Sequence, residues 1–342
     1  MKNNKNFYIV LLILLLVVLF SCKKEPSKIS FSGKAQGTFY NITYFDKKNR
    51  NFQKAIDSIL DEFNLTASMY EPQSILSRIN NNDTSVILNE DFISIFNIAN
   101  EVSEKTNGAF DVTVCPLVNA WGFGFKNIEN VDSNLINNLR KYVGYKMIWI
   151  KNKKFYKKYP EIQIDFNAIA QGYSVDKIAN FLEKQNITNY IVEIGGEVKA
   201  NGKKPDNSSW IVGIDKPDDN IGYQHNLKAK VKLDNMSVAT SGNYRKYYIK
   251  NGIKYSHTID PTTGYPVNHS LLSASVFHKS CTIADAYATA FMVMGIKKTI
   301  EFLKSHPELE AYLIYADDKG NTKTFITKGL CSILIEENSS KD

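Results

Sequence analysis

Asp285 and Thr289 stand four residues apart. On a helix that spacing puts both side chains on one face, with Cβ atoms about 5–6 Å apart. A carboxylate and a hydroxyl are hard donors that suit Mg²⁺, which keeps few protein ligands and takes the rest from phosphates and water. An Asp early in a helix also favours the helix dipole, so the spacing alone leaves both readings open. His257 lies in Ser256-His257-Thr258-Ile259-Asp260. On a strand its ring points away from the face of Ser256 and Thr258. An imidazole with an ordinary pKa of about 6.5 suits proton transfer near neutrality. It can act as a general base, contact a phosphate, or be structural. The stretch Asp165 to Gly172 sets a turn ahead of a helix, where free N–H groups can meet an anionic or polar ligand edge. Asp165 or Asn167 can equally be an N-cap. Gly195-Gly196 is either a hairpin turn or a place of close ligand approach. Arg245 can grip a phosphate bidentately or form a surface ion pair.

Other chemistries lack their signatures. Gly122-Phe123-Gly124 begins like a dinucleotide fingerprint, but Asn127 stands where the third glycine belongs. No Walker lysine motif, His-Glu-x-x-His or Gly-x-Ser-x-Gly occurs, and the five histidines are scattered.

Regular elements must position these residues. Phe39 to Phe45 alternates like a strand, and Phe52, Ala55, Ile56, Ile59, Leu60 and Phe63 have helical spacing. Further helices are predicted over Phe92–Thr106, Ile169–Gln185, Ile283–Met294 and Ile296–Leu303. Strands are predicted at Tyr190–Ile194, Trp210–Ile214, Leu227–Leu233, Leu272–Phe277, Ala311–Tyr315 and Thr324–Ile326. Strands cluster instead of alternating strictly with helices. The fold class is therefore α+β, with packed helices in a single catalytic unit of one lobe or two.

The 342 residues are 43% hydrophobic and 23% charged, which excludes a disordered or fibrous chain. Four cysteines without a C-x-x-C pair exclude a disulfide scaffold and a zinc ribbon. The net charge of +7 is spread out. Lys151, Lys153, Lys154, Lys157 and Lys158 are broken by aromatics, as on a solvated hairpin face, so no nucleic-acid partner is expected.

The glycine-, Asp- and Thr-bearing turns form an ordered series. They run from Gln36-Gly37-Thr38-Phe39-Tyr40 and Ser68-Met69-Tyr70, with Ser74, Ser77 and Asn80, to Gly108-Ala109-Phe110-Asp111-Val112-Thr113 and Pro116 through Gly124. Asp165-Phe166-Asn167-Ala168-Ile169-Ala170-Gln171-Gly172-Tyr173 and Glu193-Ile194-Gly195-Gly196-Glu197 follow. Thr240 through Arg245, Ser256 through Gly264, and Ala284-Asp285-Ala286-Tyr287-Ala288-Thr289 close the series. The series resembles the ApbE family of FAD:protein FMN transferases from about residue 33 to 330. The resemblance implies an ApbE-like mixed fold, FAD as a consumed substrate, and Mg²⁺ on Asp285, Thr289 and the Ala168 carbonyl. It implies FAD contacts at Gln36, Tyr70, Ala109, Phe110, Asp111, Asp165, Gln171 and Ile259, with His257 and Asp285 catalytic. Gln36, Cys115 and Gln171 depart from the family's usual Met, Gly and Lys or Glu. The implied reaction moves FMN to a Ser or Thr hydroxyl of an exported protein, such as a redox-pump subunit or a reductase, and releases AMP. FAD hydrolysis to FMN and AMP, or flavin binding without turnover, are the alternatives.

The N-terminus reads as an address. Ile9 to Phe20 is uninterrupted apolar sequence behind Lys2 and Lys5, too short for the ~20 residues of a spanning helix. Its end, Leu19-Phe20-Ser21-Cys22, resembles a bacterial lipoprotein signal with a lipidated Cys22. The expected division is a signal over 1–21, a tether over 22–32, a transferase domain over 33–335 and a tail over 336–342. The expected location is the periplasmic face of the inner membrane. Cys115, Cys281 and Cys331 are an odd number, so at least one thiol is unpaired.

Overall fold

The computed structural model describes residues 25–124, 131–217, 227–243, 247–250 and 253–335. It opens with a hairpin of β1 (Ser27–Ala35) and β2 (Thr38–Asp46). In β2 the buried Tyr40, Ile42 and Tyr44 alternate with more exposed neighbours, which is the period of a strand with one face in the core. A helical stretch follows: α1 (Gln53–Ala67), α2 (Ile75–Asn80), α3 (Glu90–Lys105), α4 (Cys115–Ala120) and α5 (Ser133–Arg140). It continues through the hairpin β3 (Ile148–Lys151) and β4 (Lys154–Lys157) to α6 (Ala170–Lys184). Then come β5 (Tyr190–Ile194), β6 (Glu197–Asn201), β7 (Trp210–Asp215), β8 (Leu227–Leu233), β9 (Met236–Gly242), β10 (Tyr247–Lys250), β11 (Ile253–Ser256) and β12 (Leu271–His278). The chain closes with α7 (Cys281–Lys304), β13 (Glu310–Ala316), β14 (Thr322–Ile326) and β15 (Leu334–Ile335).

Eight strands form one sheet in the order β1-β2-β5-β6-β9-β12-β13-β14. Every neighbouring pair in it is antiparallel, as expected for α+β. A smaller sheet, β15-β8-β7, covers part of the other face. The strand period sorts the core between the two sides. Val276 and Leu313 join the helix-side cluster with Phe92, Phe166 and Phe291, while Phe277 and Tyr312 join Trp210 and Val231 on the small-sheet side. Gly295 breaks α7 at φ 74, ψ 170, which accounts for two helices being predicted on either side of it.

Part of the stretch 22–32 expected as a tether is strand. Ser27 already pairs with Asp46, and β1 runs on to Ala35 at the edge of the sheet. Its Ser/Lys alternation looks like a polar leader because one face of an edge strand stays solvated. Residues 1–24, and Cys22 with them, lie outside the described residues, as do Tyr244, Arg245 and the tail over 336–342. Among the described residues no helix is long and apolar enough to cross a membrane. Cys115, Cys281 and Cys331 are all free thiols.

Asp46 clamps the end of β2 to the loop before α1. Its carboxylate accepts from Arg50 Nε and from the Arg50 backbone N–H at 2.9 Å each, and from Arg50 Nη2 at 3.1 Å. Arg50 Nη2 also donates to the Gln185 carbonyl at the end of α6. The guanidinium holds the Asp46 pKa down to about 2, against the pull of burial. A depressed folded-state pKa contributes stability above the unfolded value near 4, and that stability is lost as pH falls through about 2. Asp46→Asn is therefore expected to cost about 1–2 kcal/mol at pH 7 and almost nothing at pH 2, read by urea unfolding at both.

Candidate active site

Two hairpin turns lie side by side at one end of the large sheet. Gln36 and Gly37 take φ of 52 and 73 between β1 and β2, and Gly195 and Gly196 take 66 and 110 between β5 and β6. The Gly195 N–H donates to the Phe39 carbonyl at 3.0 Å and locks the turns together. The first turn of α6 packs on them. Gln36 Nε2 donates to Ser174 Oγ, which leaves Gln36 Oε1 buried without a partner. The Gln171 amide lies over Gly195, whose φ of 66 favours glycine, and an added Cβ would sit 2.5 Å from Nε2. The N-cap residue Ile169 gives α6 no side-chain cap, and the Ala170 N–H donates to the Phe166 carbonyl at 2.8 Å.

The first turn of α6 also meets α7. The Gly172 N–H donates to Asp285 Oδ2 at 3.0 Å. Asp285 is buried, and burial pushes its pKa up to about 7 against that single hydrogen bond. Its neighbour on the same helix face, Thr289, shares a hydrogen bond with Ser241 of β9 at 3.2 Å. Two residues on, Asn243 Oδ1 accepts from Ser256 Oγ at 2.5 Å and Thr258 Oγ1 at 2.8 Å. Ser256 and Thr258 are buried and tied to Asn243, and His257 between them, one residue beyond β11, is half-buried. Its ring meets Phe123 edge to face at 6.3 Å. One strand end thus connects the oxygen pair of α7 to the histidine segment.

The start of α7 is fixed by Asp176 of α6. Its carboxylate accepts from Lys199 Nζ (2.9 Å), Ser280 Oγ (2.6 Å), Thr282 N (2.9 Å) and Thr282 Oγ1 (2.8 Å). These partners lower its pKa despite burial, the Lys199 charge most among them. Close packing does the rest: a Cβ at Gly172 would lie 2.5 Å from the Cys281 carbonyl oxygen and 2.8 Å from Asp285 Cβ. Gly172→Ala is expected to cost about 1–3 kcal/mol through overpacking. If the helices part to accommodate the methyl, Asp285 moves and turnover falls about 10²-fold. Urea unfolding beside steady-state rates checks both.

Among the described residues no group of three or more His, Cys, Asp or Glu is placed to hold a metal. The donors here are one carboxylate and one hydroxyl, and the Ala168 carbonyl that the resemblance adds lies two residues before α6. Asp285 has one backbone donor and no ion pair among the described residues. Such an uncompensated buried carboxylate among neutral oxygens fits a hard divalent cation better than a soft one.

A second rim comes from the helical stretch. The Ser68 carbonyl accepts from Ser74 Oγ (2.5 Å) and Ser77 Oγ (3.1 Å), which shapes the turn presenting Tyr70, 70% exposed. Asn80 pairs through its amide with both backbone groups of Ile164, each at 2.8 Å, and so sets the end of α2 beside the Ile164–Asp165 segment. The Asp165 N–H donates to the Val112 carbonyl at 2.8 Å, next to Asp111. Burial pushes the Asp165 pKa up to about 6, against hydrogen bonds from Asn167.

A family model described as ApbE family matches residues 36–313. The chain belongs to the ApbE family. It is 36% identical over 324 residues to the FAD:protein FMN transferase of Haemophilus influenzae, covering 91% of this chain and 92% of that one. The transferase of the same name from Vibrio cholerae is 35% identical over 312 residues, covering 89% and 92%. The solved structure of the flavin transferase ApbE from Vibrio cholerae superposes with a TM-score of 0.80 at 33% identity, covering 90% of this chain and 99% of that chain.

The ApbE fold brings Gln36, Gln171, Asp285 and Thr289 to one end of the sheet, with the segment around His257 joined to them through Asn243 and Ala168 two residues ahead of α6. Tyr70, Ala109, Asp111 and Asp165 form the second rim. Two residues expected to contact ligand are placed differently from a side-chain contact. Phe110 is in the helix-side core and offers backbone only, whereas Ile259, for which a backbone contact was expected, is buried with Leu117 and Trp121. Asp111 Oδ1 accepts from Thr113 N (2.8 Å) and Thr113 Oγ1 (2.6 Å), and Oδ2 accepts from Tyr145 N (2.8 Å). Its carboxylate shapes the loop. Burial of Cys115 pushes its thiol up to about 12, which marks it as packing. Sequence reasoning gave no role to Asp176, Ser241 or Asn243. Their partners are far away in the chain, and no local spacing signals them.

Proposed function

We propose that this chain cleaves the pyrophosphate of FAD and passes the FMN half to a Ser or Thr hydroxyl of an exported protein, releasing AMP. The observation that carries the reading is the buried Asp285, set on the Gly172 N–H one helical turn from Thr289, in a chain aligned with FMN transferases over nine-tenths of its length. Asp285, the Thr289 hydroxyl and the Ala168 carbonyl would hold Mg²⁺, which supplies charge neutralisation for the pyrophosphate oxygens. The hairpin turns at Gln36 and Gly195 and the start of α6 bind and orient FAD. His257 takes the proton as the acceptor oxygen attacks the FMN phosphorus, and the P–O bond to AMP breaks. The test follows AMP release from FAD with and without an acceptor protein, in Mg²⁺ and in chelator. Transfer makes AMP release depend on both. Release without acceptor indicates the hydrolase.

The anchored location belongs to the same proposal. Lipidation of Cys22 would hold the chain on the periplasmic face of the inner membrane and concentrate it near membrane-bound acceptors. Cys22→Ser is expected to move the chain to the soluble fraction and end acyl labelling. Transfer to soluble acceptors should continue at the parent rate, since every site residue lies beyond β1.

A further inference from the structure

The β3–β4 hairpin carries an exposed face that the active site does not use. Ile148, Ile150 and Phe155 turn into the helix-side core. Trp149, Lys151, Lys154 and Tyr156 therefore turn outward. Trp149 pairs with Tyr156 across the strands, their rings 5.8 Å apart and 8° from parallel, at 45% and 40% exposure. Lys151 pairs with Lys154, and neither makes an ion pair among the described residues. Like charges directly opposite destabilise a hairpin. The turn adds to this, because Asn152 and Lys153 take φ of 51 and 55, and a Gly at the second position would be easier than Lys. At the foot of the hairpin Lys158 lies over Tyr159 at 5.2 Å and Lys146 over Tyr145 at 5.6 Å. The acidic neighbours are Glu90, occupied by Lys153 at 2.6 Å, and Glu161 near Lys157. Lys157 itself turns inward to the Pro160 and Ile162 carbonyls. Lys146, Lys151, Lys154 and Lys158 remain outward, beside flat aromatic surface.

We propose that this face is a membrane-contact surface, which lies on the anionic headgroups of a bilayer. Local choices that cost the hairpin stability become favourable against a negative surface. Trp and Tyr are side chains of the water–lipid boundary, and lysine stems reach headgroup phosphates while their methylenes cover apolar surface. Chain length keeps the body at the bilayer and rests on the anchored reading above. Four residues separate Cys22 from Ser27, a span of at most ~18 Å over five steps, so a lipidated chain keeps its body against the headgroups.

The test uses the processed chain carrying Cys22→Ser, so that no acyl chain contributes, sedimented with phosphatidylglycerol or phosphatidylcholine vesicles. Binding to the anionic vesicles is expected, falling with added salt, and little to the neutral ones. Each lysine near the surface is worth about five-fold, so Lys151→Gln with Lys154→Gln should weaken binding roughly 25-fold. Trp149→Ala should weaken it further, and FMN transfer to a soluble acceptor should be unchanged in all of these variants. No binding to anionic vesicles by the parent, or equal binding by the double variant, would overturn the proposal. So would loss of transfer to the soluble acceptor, since the face would then dock protein. Acyl labelling of the unaltered Cys22 tests the anchor separately, so failure of one is distinguishable from failure of the other.

Discussion

Asp285→Asn should reduce FMN transfer at least about 10³-fold while the chain stays folded. A cation at a transferring phosphoryl group stabilises the transition state by several kcal/mol, and each 1.36 kcal/mol is a factor of ten. Asn keeps an oxygen to accept from Gly172 N–H, so the contact between α6 and α7 survives. What disappears is the charge. The stability consequence has the opposite sign to the activity loss. Burial raises the folded-state pKa of Asp285 to about 7, so ionising it destabilises the metal-free chain. That cost is absent below about pH 4, near the unfolded value, and grows as pH rises toward 7. In chelator the Asn variant should therefore melt above the parent at pH 8, with the gain shrinking by pH 4. Added Mg²⁺ should raise the Tm of the parent and leave the variant unmoved. Normal turnover in the folded variant would remove Asp285 from the site.

His257→Ala should slow transfer about 10²–10⁴-fold, the contribution of a positioned general base, with FAD affinity little changed. Ser256 and Thr258 hold the segment through Asn243, so removing the imidazole leaves the backbone in place. FAD titration by fluorescence beside single-turnover rates separates the roles. A loss of affinity with an unchanged bound-state rate would make His257 a binding residue.

The elements with strong periodicity were legible in the sequence. Alternation marked β2, short β-rich runs marked β5 and β12, helical spacing marked α1, α3 and α6, and the break at Gly295 was legible as two neighbouring helices. β1 was not, because a half-solvated edge strand of Ser and Lys has the composition of a linker. β9 was missed for a related reason. Its Ser-Val-Ala-Thr-Ser-Gly run has little strand propensity, and its place depends on pairing with β6 and β12. For the site, motif order selected segments that the fold brings together, and helical spacing gave the shared face of Asp285 and Thr289. The motifs did not show how each segment is used. Phe110 looks like a ligand-stacking ring and is core, and Asp111 looks like a free acceptor and is filled by its own loop. Those outcomes depend on neighbours such as Thr113 N–H and Tyr145 N–H, whose approach is set by the folded chain.

The central claim is covalent transfer to protein, and the intact mass of the acceptor tests it most directly. A purified exported acceptor is incubated with this chain, FAD and Mg²⁺, and its mass is read beside the AMP released. The expected result is a gain of one FMN less water per acceptor, with one AMP for each, abolished when the acceptor's Ser or Thr is replaced by Ala. Release of AMP and free FMN while the acceptor mass stays unchanged would contradict it.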